Sequence, residues 1–183
     1  MSTYIALVHF PVYNNRKKIV NTALTCISVH DIARVARTYD VKKFFVINPL
    51  KSQQELLKRI LTFWNDGDGL SFNDNRALAL SIVSGVKSLL DAYKFIKQES
   101  SKDLKIIGTS AKRFGCSISF SDLKEKLRSD TEDYLILFGT GWGLTEETMM
   151  ECDYILEPVE FGTDFNHLSV RSAVSIILDR LLQ

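Results

Sequence analysis

LFGTGWGLTEETM, from Leu137 to Met149, places glycines at 139, 141 and 143 between an apolar run and a helix-like segment. Glycine removes the side chain where a ligand or a second backbone must come close, and it permits positive φ. A tight turn joining strand to helix would use the same residues, because the G-x-G-x-G pattern alone is a weak signal. Thr145 is a natural N-cap, and Glu146 and Glu147 follow it in the first helical turn. Carboxylates there complement the helix dipole but repel a pyrophosphate. Glu157 and Glu160 are expected to deepen the same negative field. The turn therefore disfavours a dinucleotide and favours a ligand with a neutral or positive centre.

The surrounding chain has 183 residues, 45% of them apolar and 25% charged, which suits one buried core and a single domain over 1–183. Short β-rich runs recur at Tyr4–Val8, Lys43–Ile47, Leu80–Ser84, Leu104–Gly108, Tyr134–Phe138 and Tyr154–Leu156. Helical patterns separate them at His30–Tyr39, Ser52–Trp64, Lys87–Lys97, Ser121–Arg128, Thr145–Glu151 and Val170–Leu182. Alternation of this kind predicts an α/β fold, with a mostly parallel six-stranded sheet and helices on both faces. The segment NDGDGLSFNDN, Asn65 to Asn75, reads as a turn-rich loop. Ligands of such sheets sit beyond the carboxyl ends of the strands, where the glycine turn also falls.

No apolar run approaches a membrane span, and the opening residues lack a basic lead and a cleavage site, so the expectation is an unprocessed cytoplasmic protein. Cys26, Cys116 and Cys152 are odd in number and far apart, which fits reduced thiols, and the three histidines lack metal-ligand spacing. Net charge is +1, but residues 1–59 hold ten Lys/Arg against three Asp/Glu, and residues 60–183 hold thirteen against nineteen. That split points to a face for a polyanion, with solvated surface as the plain alternative. Arg16, Lys17 and Lys18, next to Tyr13, are the expected RNA-contacting segment. S-adenosylmethionine joins a fixed positive centre to an adenine and carries no phosphate, so it is the expected ligand of the glycine turn. A flavodoxin-like or nucleotide-binding regulator is the alternative of a different class.

Three segments together resemble the SPOUT superfamily of RNA methyltransferases, and most closely the small family found alone or fused to tRNA (guanine-N1)-methyltransferase. HDIARVARTYD, His30 to Asp40, is similar to the N-x-x-x-x-x-R helix of its ribose 2′-O-methylating branch, with Asp31 at the asparagine position and Arg37 at the arginine position. GTGWGL stands where that branch has approximately G-x-E-G-x-G-L. DYILEPVEFGTDFNHLSVRSA, Asp153 to Ala173, resembles the I-P-M…S-L-N-V-S segment, with Glu157 before Pro158, Phe165 for the first serine and His167 for the asparagine.

The resemblance implies a C-terminal deep trefoil knot, and S-adenosylmethionine held by main-chain groups of three loops. These are Thr109 and Ser110; Gly139, Gly141, Gly143 and Leu144; and Ile155, Leu156, Glu157 and Pro158 with Asn166, His167 and Leu168. It also implies a homodimer, RNA as substrate, expected to be tRNA methylated at a ribose 2′-hydroxyl, and Arg37 at the catalytic centre. The deprotonating group stays open, with His167 and Asp31 as candidates. The alternatives are methylation of a base nitrogen such as guanine N1, for which Asp164 is the candidate carboxylate, and a non-catalytic cofactor- or RNA-binding accessory domain.

Overall fold

The computed structural model describes residues 1–129 and 131–183, with only the backbone at residue 70. The chain opens with β1 (Thr3–Val8), the short strands β2 (Val12–Tyr13) and β3 (Ile19–Val20), α1 (Cys26–Thr38) and β4 (Lys43–Ile47). It continues through α2 (Lys51–Asn65), α3 (Asp68–Phe72), α4 (Asp74–Leu80), β5 (Val83–Val86), α5 (Leu89–Glu99) and β6 (Leu104–Gly108). The last third comprises β7 (Ser117–Ile118), α6 (Phe120–Ser129), β8 (Asp133–Gly139), α7 (Glu146–Met150), β9 (Tyr154–Leu156) and α8 (Val170–Leu182).

Seven strands form one sheet in the order β5-β4-β1-β8-β6-β9-β7. Every pairing in it is parallel. The central strands β1 and β8 pair from Thr3↔Tyr134 to Val8↔Gly139. Both faces of these strands are covered, which explains their unbroken apolar runs YIALV and YLILF. Ile5, Leu7, Phe44, Val46, Ile136 and Phe138 pack on one face against helices that include α1, α6 and α8. Tyr4, Ala6, Val8, Phe45, Leu135 and Leu137 pack on the other with α5 and α7.

Several sequence expectations need correction. The main sheet has seven strands, not six, because β7 adds a two-residue edge strand too short to show a period. The expected strand over residues 80–84 begins at Val83, since Leu80 closes α4 as a buried helical residue. The segment 65–75 is not a loop: it ends α2, forms α3 and starts α4, with the Asn73 side chain accepting from the Arg76 amide as N-cap. Its Asp, Asn and Gly residues are helix punctuation, and punctuation between short helices looks like a loop in sequence.

β9 lies between β6 and β7, pairing with one through Gly108↔Ile155 and with the other through Ile118↔Leu156. The last strand thus lies between two strands that both precede it in the chain. Each crossover helix returns from the carboxyl ends of the strands to their amino ends, so all the βα loops collect at one border of the sheet, here called the carboxyl edge. Among the described residues no helix is long and apolar enough to cross a membrane. The three cysteines are free thiols, and burial pushes the Cys152 thiol up to about 12.

His9 follows β1 at this edge and is only 3% exposed. Its Nδ1 lies 2.8 Å from Thr22 Oγ1, while Nε2 is buried without a partner among the described residues. Burial lowers its pKa to about 4, so the folded protein holds the ring neutral. The unfolded chain binds a proton near pH 6.5, which makes this contribution to stability complete above that pH and progressively lost down to pH 4. Its full size is about 3 kcal/mol. Chemical denaturation at a series of pH values is expected to show this slope in the native protein and to lose it in His9→Gln.

Candidate active site

The loops after β8, β6 and β9 stand side by side at the carboxyl edge, because these three strands are neighbours in the sheet. Thr109 Oγ1 donates to the Leu137 carbonyl at 2.8 Å, tying the end of β6 to β8. Asn166 Nδ2 donates to the Ala111 carbonyl at 2.9 Å, joining the loops after β9 and β6. The Trp142 and His167 rings meet edge to face with centroids 6.5 Å apart, which links the glycine loop to the segment before α8. The structure therefore brings together the loops that hold Thr109, residues 139–144 and residues 166–168, but not the segment 30–40. Ile155 and Leu156 sit within β9, Leu156 and Pro158 are buried, and Ser110, Asn166, His167 and Leu168 retain exposure.

The glycine loop closes tightly on itself. A Cβ on Gly139 would lie 2.6 Å from the Leu144 amide nitrogen. Gly141 and Gly143 have φ of +59° and +97°, conformations that L side chains rarely adopt. A Cβ on Gly141 would meet the Tyr13 carbonyl at 2.8 Å, whereas a Cβ on Gly143 would enter open space. Tyr13 belongs to the β2–β3 hairpin, which grips this loop. Trp142 N donates to Tyr13 O at 2.8 Å, and Tyr13 N donates to Gly143 O at 3.0 Å. The hairpin turn is held by Asn14, whose side-chain oxygen accepts from the Arg16 and Lys18 amides. Arg16, Lys17 and Lys18 are consequently exposed beside the glycine loop.

α7 begins as expected, with Thr145 as N-cap accepting from the Thr148 amide and with Glu146 and Glu147 exposed in its first turn. Glu157 and Glu160 do not extend that negative field. Arg113 binds Glu160 at 2.7 Å and Glu157 at 3.3 Å, and Glu157 Oε1 also accepts from the Phe120 amide. Arg113, in the loop after β6, had no motif to announce it. This clasp ties the loop after β6 to the one after β9.

Open space at Gly143, main-chain groups from three loops and an acidic helix start fit S-adenosylmethionine. Main-chain contact suits the adenosine, and the carboxylates suit the sulfonium.

The structure does not bring Arg37 to these loops within one chain. α1 runs back from the carboxyl edge, and Arg37 lies in its last turn, roughly 16 Å along the axis from Cys26. α1 and α8 lie side by side in the same direction. Asp31 pairs with Arg171 at 2.7 Å near their starts, and Tyr39 Oη donates to Asp179 at 2.6 Å near their ends. Asp31 is thus an ion-pair partner in α1, and Ser169 caps α8 by accepting from the Ser172 amide. An open groove of about 760 Å³ follows the two helices, with Arg34, Thr38, Ser172 and Ile176 in its walls. Arg34, one turn nearer the carboxyl edge than Arg37, did not stand out in the sequence. Asp164 is exposed on the segment between Pro158 and α8.

A profile of the family described as SAM-dependent RNA methyltransferase matches residues 2–183. An uncharacterised protein of Aquifex aeolicus is 36% identical over 180 residues, which cover 98% of this chain and 88% of that protein. A tRNA (guanine-N(1)-)-methyltransferase of Oleidesulfovibrio alaskensis is 38% identical over 179 residues, covering 98% of this chain but 41% of that enzyme. Among solved structures, the SpoU methyltransferase AviRb of Streptomyces viridochromogenes superposes with a TM-score of 0.63 at 14% identity, over 99% of this chain and 58% of AviRb, a likeness of fold. With its profile matched almost from end to end, the chain belongs to the SAM-dependent RNA methyltransferase family.

Proposed function

We propose that this protein is a single-domain, cytoplasmic, homodimeric enzyme that methylates tRNA at a ribose 2′-hydroxyl. The observation that carries this reading is the meeting of the three loops at the carboxyl edge, with Gly143 open to a ligand above the acidic start of α7. When bound, S-adenosylmethionine supplies an activated methyl group. The chain's part is to place the ribose oxygen in line with that methyl carbon and to manage one proton. Asp31 is paired with Arg171, and Glu157 and Glu160 are both paired with Arg113, whereas Glu146, Glu147 and Asp164 are exposed. The ribose reading uses cations to place a phosphate and hydroxyl, and the exposed Asp164 keeps the base-nitrogen alternative as the second reading. The guanine-N1 activity named for relatives belongs to proteins of which this chain spans about two fifths.

In this proposal Arg37 acts across a dimer. Two copies that pack through the α1/α8 groove about a two-fold axis perpendicular to the helices run their helices in opposite directions. The end of α1 in one subunit then faces the carboxyl edge of the other, and Arg37 of the partner subunit completes the site. Its guanidinium orients a phosphate and the hydroxyl and does not serve as a base, since it does not lose its proton in proteins. The β2–β3 hairpin adds Arg16, Lys17 and Lys18 as phosphate contacts. The trefoil knot belongs to the same reading and is supported by the position of β9 between β6 and β7.

Incubation with methyl-labelled S-adenosylmethionine and bulk tRNA, followed by nucleoside digestion, should give label in 2′-O-methylribose. Label in a base instead establishes the nitrogen-methylating alternative, and no transfer with intact binding establishes an accessory domain. Mixing Arg37→Ala subunits with Gly141→Val subunits should restore about a quarter of wild-type activity through mixed dimers. No restoration would place Arg37 outside a shared site. Gly143→Ala should lower cofactor affinity more than tenfold in calorimetry while lowering the melting temperature by only about 2–8 °C, from a positive-φ cost of roughly 1–2 kcal/mol. Neutralising Arg16, Lys17 and Lys18 together should flatten the slope of log affinity against log salt by about two units, at roughly 0.7 per phosphate. An unchanged slope removes the hairpin from the RNA face.

A further inference from the structure

Trp142 sits between two glycines and is 64% exposed, although its amide is fixed by the Tyr13 carbonyl. Its ring is not isolated. It lies edge to face with His167, and His167 lies edge to face with Phe165 at 5.3 Å and 76°. Phe165 is itself 76% exposed. Two loops of the cofactor cradle thus contribute three rings to one outward-facing cluster. Single exposed aromatics are ordinary, but a contiguous group at the mouth of a site marks a contact surface.

We propose that Trp142, with Phe165 and His167, is a stacking platform for an unpaired base of the RNA substrate, next to the nucleotide being methylated. The inference rests on the RNA-methylating reading above and adds the way the strand is held. Charge selects this occupant over an apolar protein partner. The hairpin that fixes Trp142 carries Arg16, Lys17 and Lys18 at its exposed turn, and Arg16 is three residues from Tyr13, at most about 10 Å along the chain. Aromatic faces beside a cationic turn are the two features that single-stranded RNA requires, one for its bases and one for its phosphates. An unstacked base also leaves its own ribose open to approach from the cofactor side.

The chain has two tryptophans, so Trp64→Phe leaves Trp142 as the only indole reporter. This variant is titrated with a single-stranded oligoribonucleotide and with an abasic oligomer of equal length. Trp142 emission is expected to be quenched by the base-bearing strand alone. Trp142→Ala should weaken binding of that strand by about 5- to 150-fold, the range for one stacked base, while leaving the abasic strand and the salt slope unchanged. Trp142→Phe should retain most of the affinity. Equal weakening for both strands, or absence of quenching, overturns the platform. Quenching by S-adenosylmethionine alone, with matching loss of its affinity in Trp142→Ala, gives the ring to the cofactor adenine and also overturns it. These measurements involve no methyl transfer, so an error in the ribose assignment appears only in the nucleoside digest. Failure of both strands to bind sinks the RNA reading itself.

Discussion

Two main-chain hydrogen bonds between Tyr13 and the glycine loop, Trp142 N to Tyr13 O and Tyr13 N to Gly143 O, hold together what the rest of the site requires. Their geometry needs backbone at positive φ on both sides of Trp142, which is why glycines flank it. Once formed, they fix the hairpin against the carboxyl edge, turn Trp142 outward and leave free space at Gly143. Loop shape, cation placement and the cradle we propose for the cofactor are thereby set by one short antiparallel contact rather than by separate devices.

The larger architecture was readable from the sequence because burial on both faces leaves an unmistakable apolar run, as in β1 and β8. Two-residue strands such as β2, β3 and β7 leave no period, so the hairpin that grips the glycine loop was invisible, although its cations were not. The three loops were legible because glycine spacing and the resemblance coincided. What they touch was not. Asn166, whose main chain is expected at the cofactor, turns its side-chain amide to the Ala111 carbonyl, and Ser169 caps α8. Arg37 shows a different limit: residue type and spacing were clear, but the direction of α1, which decides its distance from the loops, depends on the parallel sheet.

Electrostatics required the largest revision. The positive excess of the first 59 residues does not form one face. Arg16, Lys17 and Lys18 stand at the carboxyl edge, while Lys42 and Lys43 lie over the Tyr4 and Phe95 rings at the start of β4. Glu157 and Glu160 are consumed by Arg113, so the local field at the glycine loop comes from Glu146 and Glu147. The exposed cations of the hairpin are thus a narrower feature than the charge asymmetry of the first 59 residues.

The slot occupied by β9 has a consequence for how the protein is made. β7 joins the sheet through β9 alone, so β6 and β7 each keep an unpaired border until residues 154–156 have been synthesised. Such borders invite pairing with other chains. Residues 154–156 close both borders at once, by pairing with β6 on one side and β7 on the other.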